Sequence, residues 1–369
     1  MAGEFMTLEM LPALHGDALL LEWGDTQRTR RLLVDGGPIG AFGSLRARLD
    51  ALPAGDRRFE LIVLSHVDTD HVDGLVRLFA EPKPWPFVVK DVWFNGWRHL
   101  EQAHGLLGGK QGEYFSALLS RRLDPRAWNG AFDGQAVLVP DVGPLPEKEL
   151  PGGLKLTLLS PTPAKMDRMR DAWRKDLGDA ISPGDLDGAW EVLARQKRYL
   201  PGQGLLGSTP ALDALLEKQS RPDKAAANGS SIALLAEFAG KSVLLLADAH
   251  ADVITASLQR LLRARGLKRL PVGAVKLAHH GSKGNVSDEL LALVDSPNFL
   301  FSSNGAIFRH PDDEAVQRVI ARSVQARLTL CFNYRSARNK GWESPAEQEQ
   351  LAYVTRYPEV GGASMVVTV

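Results

Sequence analysis

Short apolar stretches separated by turn residues dominate the first hundred positions. "MTLEMLPAL" and "ALLLEW" read as strands around an "HGD" turn, and "RRLLVDGG" as a third strand closed by two glycines. "SLRARLDAL" has Leu45, Leu49 and Leu52 at helical spacing. "RFELIVLS" and "FVVKDVWFNGW" read as strands, with the helix "HVDGLVRLFA" between them. The pattern then changes. Residues 101–150 mix the helix "GEYFSALLSRRL" with loops, and "GLKLTLLSPTP" is a strand stopped by proline. Residues 164–227 are polar, with helical patches "AKMDRMRDAWRKDL" and "ALDALLEKQS" and a turn-rich linker, "GDAISPGDLDG". The last third returns to the first pattern. "SSIALLAEFAGKSVLLLADA" reads as a hairpin, and "VITASLQRLLRARG", "SDELLALV" and "PDDEAVQRVIARS" as helices. "VGAVKLAHHGS", "NFLFSSNG", "RLTLCFNY" and "ASMVVTV" complete the strands. Strands with helices in both halves predict two packed sheets with outer helices. One domain over residues 6–369 is expected, with 101–227 as an insertion-bearing middle region.

Composition narrows this picture. The chain has 369 residues, 44% hydrophobic and 24% charged, which is enough for a sizeable core. Basic and acidic residues both number 44, so no global positive field draws in nucleic acid. The single cysteine, Cys331, excludes a disulfide framework and a thiolate zinc site, and fits a reducing cytoplasm. "MAGEF" reads as a cloning remnant before Met6, with no signal peptide. No apolar run reaches the roughly 18 residues of a membrane span.

Chemistry collects where apolar strands stop. "LSHVDTDHVDGL" crowds His66, Asp68, Asp70, His71 and Asp73 directly after a strand. Such crowding is costly unless a positive charge sits among the groups. Asp248 and His250 follow "SVLLLA", His279 and His280 follow "VGAVKLA", and His310 lies further on. Histidine and carboxylate at strand ends suit a divalent cation such as zinc or manganese. Alone, the acidic cluster would read as a helix N-terminus and "HHGS" as a loop. Three such junctions, each after its own strand, favour the metal.

Together these motifs resemble those of metallo-β-lactamase-fold hydrolases. "HVDTDH" is similar to H-x-H-x-D-H in the H-x-D-x-D-H form of the ComEC-type competence hydrolase domains. "HGDALLLEW", "RLLVDGG", "NGSSIALLAEFAGKSVLLLADA", "KLAHHGSKGNVSDELL" and "SSNGAIFRHP" carry the rest of the likeness. It implies an αββα sandwich, two mixed sheets flanked by outer helices, with a helical insertion and a one- or two-metal site. It implies His66 and Asp68 on the first ion, Asp70 and His71 on the second, and Asp248 bridging. One of His279 and His280 completes the second site. Strand neighbours point opposite ways, so His280 is the expected ligand and His279 the substrate-facing partner. Asp35 fits an aspartate that orients a ligand. Asp68 stands where the lactamases carry histidine, which keeps zinc and manganese both open. The family's middle histidine has no clear counterpart, although His99 and His104 are candidates. Ala247 stands where glycine is usual, and His250 either reaches the site or caps a helix.

The expected function is hydrolysis by metal-activated water, with DNA phosphodiesters as the favoured substrate and Asp70, His279 and His310 as catalytic residues. His310 is placed to protonate a leaving oxygen. The acid-free run "QRLLRARGLKR" offers Arg260 and Arg263 as a phosphate grip, or is a solvated helix face. Lys283 and Asn304 adjoin motif residues, Lys283 as a substrate contact and Asn304 as a support. Trp93, Trp97 and Trp342 are either base-stacking or, more commonly, buried. The alternatives are a small-molecule hydrolase of phosphoesters, lactones or lactams, and a non-catalytic regulatory protein. Without a membrane span the chain is no DNA channel. A nuclease free in the cytoplasm needs control, so the polar middle region is expected to act as a lid, a partner surface or a protease-sensitive switch. Phage defence is one such setting.

Overall fold

The computed structural model describes residues 3–100, 109–177, 181–201, 223–359 and 363–369. The chain opens with β1 (Phe5–Met10), β2 (Leu19–Gly24), β3 (Thr29–Val34), β4 (Leu61–Val63) and β5 (Val92–Trp93). A second set follows: β6 (Glu147–Leu150), β7 (Leu154–Ser160), β8 (Ala233–Phe238), β9 (Lys241–Leu245), β10 (Ala274–Lys276), β11 (Asn298–Phe301), β12 (Leu328–Phe332) and β13 (Tyr353–Arg356). The last strand, β14 (Met365–Thr368), returns to pair with β1. The first sheet runs β14-β1-β2-β3-β4-β5, and the second runs β13 to β6 in sequential order. Both are mixed: β3-β4-β5 and β9 through β13 are parallel, and the remaining pairs are antiparallel.

The period-two pattern explains the layering. Met6, Leu8, Leu19, Leu21, Leu32 and Val34 point to a core shared with the second sheet. Their neighbours Leu20, Leu33 and Ile62 point the other way, into a helical layer. That layer includes α1 (Phe42–Asp50), α2 (Thr69–Phe79), α3 (Lys110–Arg122), α4 (Pro163–Leu177) and α5 (Leu186–Arg195). The inner parallel strands of the second sheet are largely buried on both faces, which requires cover on both, whereas the edge strand β13 is partly exposed. There α6 (Ala251–Arg265) and α7 (Asp313–Arg322) bury Ile254, Leu258, Val316 and Val319. Each fully buried leucine contributes about 1.5–3 kcal/mol relative to exposure.

Several elements differ from the sequence pattern. "RFELIVLS" is broken, because Arg58–Phe59 pairs separately with Val88–Val89. "FVVKDVWFNGW" breaks at Asp91, whose carboxylate accepts from the backbone of Val92, Gly130 and Ala131. The turn-rich linker ends in a helix: Asp185 caps α5 by accepting from Gly188 N at 2.9 Å. Phe5, assigned to the remnant, pairs with Gly24 inside β1. The middle region is built into the body. β6 and β7 extend the second sheet, and Phe115, Trp173 and Tyr199 are buried in the helical layer with α2. Trp93 and Trp97 are also buried, and Trp342 partly so. "ALDALLEKQS" and His104 lie outside the described residues. No helix among the described residues is long and apolar enough to cross a membrane.

Candidate metal centre

The parallel strands end at one edge of the sandwich, where ligands bind in open α/β sheets. Asp35 follows β3, Ser65 and His66 follow β4, and Asp248 follows β9. His279 and His280 follow β10, and Ser302 follows β11. Asp17 precedes β2, which runs antiparallel to β3 and so starts at the same edge. Close backbone packing holds the loops together. A Cβ on Gly16 would stand 1.8 Å from Asp70 O, and one on Gly74 would stand 2.0 Å from Gly36 O. Glycine there lets the "HGD" and "DGG" turns lie against the first turns of α2. Asp17 N donates to Asp70 O and Gly36 N to His71 O.

At the centre lies one carboxylate oxygen. Asp248 Oδ2 is 3.4 Å from His71 Nε2, 3.8 Å from the Nε2 atoms of His279 and His280, and 3.9 Å from His66 Nε2. Asp70 Oδ2 is 3.3 Å from His280 Nε2, and Asp68 Oδ2 is 3.7 Å from His66 Nε2. The sets His66–His71–Asp248, Asp70–His71–His280 and Asp17–Asp248–His280 each offer donor atoms within 4.8 Å of one another.

The opposite nitrogen of each ring is tied down, which sets the tautomer. Ser65 Oγ donates to Asp35 Oδ2 at 2.6 Å, so it accepts from His66 Nδ1 at 3.0 Å. His71 Nδ1 donates to Asp35 Oδ2 at 2.8 Å. Ser302 Oγ donates to Asp17 Oδ1 and accepts from His280 Nδ1 at 3.1 Å. His279 Nδ1 donates to Asp223 Oδ2 at 3.2 Å and Asn285 Oδ1 at 3.1 Å. Each Nε2 therefore offers its lone pair to the centre.

Those atoms lack partners among the described residues. The Nε2 atoms of His66, His71 and His280 and Asp248 Oδ1 are buried without a hydrogen bond. Leaving one such group unsatisfied costs about 1–3 kcal/mol, so four together need an explanation. A divalent cation, bound about 2 Å from nitrogen and oxygen donors, supplies one. The buried His and Asp cluster can hold a metal ion, and its all-N,O donor set suits zinc, manganese or iron. The electrostatics agree. Burial opposes the charge on His71, yet Asp248, Asp70 and Asp35 raise its pKa well above the ordinary value. Burial likewise opposes ionisation of Asp248, but His71, His280 and His279 hold it well below the carboxylate range. The pocket is therefore tuned for positive charge among its carboxylates.

The remaining sequence candidates separate clearly. Asp68 is at the N-cap of α2 but makes no side-chain cap, and its carboxylate is 44% exposed. Asp73 lies inside α2, buried, and accepts from Tyr199 Oη. His279 and His280 do not alternate as strand neighbours. Both are left-handed, at φ 47° and 53°, and both reach Asp248. Ala247 also has a left-handed φ of 46°, a conformation that suits glycine. His99 stands edge-on to Trp128, its Nδ1 accepts from Gly96 N at 3.0 Å and its Nε2 lies 3.1 Å from Arg98 Nε, so both ring nitrogens face groups away from the centre. His250 precedes α6 and meets Lys165 Nζ at 2.9 Å. His310 is buried, with its ring 5.1 Å from that of His279. Asn304 serves its own loop, its side-chain Oδ1 accepting from Ala306 N at 3.0 Å, while its backbone N donates to Leu14 O at 2.8 Å. Lys283 pairs with Glu314 at 2.8 Å. Arg260 donates to the carbonyls of Pro140 and Gly143, Arg265 to Glu237 and Arg269 to Leu291 and Val294, leaving Arg263 and Lys268 exposed on that strip. Asp17, Asp223, Asn285, Ser65 and Ser302 escaped the sequence reading. Asp17, Ser65, Asn285 and Ser302 stand within the motifs themselves, whereas Asp223 lies in none of them.

No family model matches the chain, and no curated protein matches it. Among solved structures it is similar to CmlA, a diiron beta-hydroxylase from Streptomyces venezuelae, at 11% identity and a TM-score of 0.38. The match covers 100% of this chain and 54% of that protein, so the chain spans about half its length.

Proposed function

We propose that the protein is a metal-dependent hydrolase of the metallo-β-lactamase fold, in its ComEC-like form, and that it cleaves phosphodiesters, with DNA as the favoured substrate. The observation that carries this reading is the ring of imidazole Nε2 atoms around Asp248, three of them buried without a hydrogen-bond partner among the described residues. His66, His71 and Asp248 would hold one ion, with Asp68 beside them. Asp70, His280 and Asp248 would hold the other. When bound, such ions bring the pKa of a coordinated water toward neutrality and offset charge on a phosphoryl oxygen. Burial first, then the neighbouring charges of His279 and His280, hold the His310 pKa well below its ordinary value. His310 is thus a neutral proton acceptor at pH 7, and it donates to a leaving oxygen only after taking up a proton.

One observation favours a second reading, hydrolysis of a small phosphoester or lactone. Arg260, Arg265, Arg269 and Lys283 are committed to contacts within the protein rather than forming a long cationic groove. The test offers plasmid, single-stranded DNA, RNA and bis-(p-nitrophenyl) phosphate to the protein with zinc, manganese or iron(II), with and without chelator. Chelator-sensitive cleavage of DNA, lost in Asp70→Ala, supports the first reading. Turnover of the small diester alone supports the second. A metal-loaded protein that cleaves none of the four overturns the assignment to phosphodiesters.

A further inference from the structure

His279 shares the design of the three other histidines, and its anchor comes from an unexpected place. His66, His71 and His280 each have Nδ1 held by a buried hydroxyl or carboxylate and Nε2 aimed at Asp248. The His279 Nε2 distance to Asp248 Oδ2, 3.8 Å, equals that of His280. Its Nδ1 is held by Asp223, which belongs to the middle region rather than to either sheet. Asp223 is itself fixed on several sides. It accepts from Asn228 Nδ2 at 2.6 Å, Asn285 Nδ2 at 3.0 Å and Ala225 N at 2.9 Å. Asn228 Nδ2 also lies 3.3 Å from His279 Nδ1, but its shorter bond is the one to Asp223.

We propose that Asp223 is a positioning residue that makes His279 a fourth imidazole donor of the metal centre, alongside His66, His71 and His280. The backbone supports this. In extended conformation two neighbours point to opposite faces. Here consecutive left-handed residues, His279 at φ 47° and His280 at φ 53°, turn both imidazoles onto one carboxylate. Left-handed non-glycine residues are strained and persist only where the surroundings impose them. The middle region therefore contributes a residue to the centre and does more than cover it.

The inference rests on the metal-dependent reading, and the experiment separates the two. The protein is stripped with chelator and titrated with zinc against a competing indicator, with stoichiometry by elemental analysis and folding by thermal melts. Wild type should take up two ions. His279→Ala and Asp223→Asn should each weaken one of them about 10–100-fold, the usual cost of losing a ligand's support, and leave the other unchanged. Asp223→Glu should recover part of that loss, which a merely structural role would not predict. Folded His279→Ala and Asp223→Asn variants that bind both ions as wild type does overturn this inference alone. Wild-type protein that takes up no zinc, manganese or iron(II) overturns it together with the function above.

Discussion

The two halves of the centre are built differently. In the first, His66, Asp68, Asp70 and His71 lie within six residues of chain, and Asp35 supports two of the histidines, directly or through Ser65. In the second, Asp248 comes from one loop and the adjacent His279 and His280 from another. Of their supports, Asp17 and Asp223 are drawn from distant parts of the chain, with Ser302 beside the first and Asn285 beside the second. Asp17 is also buried against Lys276 Nζ at 2.7 Å. The first half is therefore a compact loop on one strand and helix. The second is assembled by tertiary structure, and its geometry depends on the whole sandwich.

The largest effect should come from removing what the halves share. Asp248→Ala is expected to reduce metal uptake below one ion per chain by elemental analysis. It should lower turnover by at least about 100-fold, the upper end of what loss of an outer support costs. Next come the two supports. Asp35→Asn and Asp17→Asn should each weaken metal binding about 10–100-fold. Only Asp17→Asn also strands a buried ammonium, which costs about 3–5 kcal/mol of stability. Adding Lys276→Met to Asp17→Asn should restore most of that stability, read by urea unfolding, without restoring metal affinity. If the double variant regains both, the two halves are not supported differently.

The same contrast explains what could be read in advance. Ligands placed just past apolar strands announce themselves, since His66 and His280 follow runs that can only be buried strands. The supports lack such a mark. Asp17 sat in what looked like a turn, and Asp223 in a polar stretch with no periodicity. Lys276 did carry a signal: a lysine inside the apolar "GAVKLA" must either reach water or find a buried partner. One sequence cannot say which partner. The left-handed pair at His279 and His280 was hidden because nothing but glycine advertises that conformation. The helix α5 was hidden by Pro183 and Gly184, which read as linker although Asp185 behind them is a helix cap.

A smaller effect tests the histidine that stays outside the centre. Burial first, and then the Arg98 guanidinium, lower the His99 pKa from 6.5 to about 4. The unfolded chain therefore binds more protons than the folded one between those values. Stability from this residue is complete above pH 6.5 and falls as pH drops toward 4. At roughly 1.4 kcal/mol per unit the loss is about 3 kcal/mol. His99→Gln should flatten this part of the pH–stability curve relative to wild type, while metal content stays the same. A change in metal content instead would return His99 to the centre as the missing ligand.

The smallest effect is expected on the basic strip of α6. Arg260 and Arg265 spend their guanidinium donors on Pro140, Gly143 and Glu237, so they tie the helix to the sandwich and are poorly placed to follow a phosphate backbone. Arg263 is exposed, and a single exposed contact to one phosphate shifts the slope of log affinity against log salt by only about one unit. Arg263→Ala should therefore leave DNA affinity within about twofold and the slope unchanged, because Arg260, Arg265 and Arg269 on the strip are already paired. A slope lower by about one would show that the strip does grip phosphate. It would extend the second half of the centre from a metal support into a substrate track.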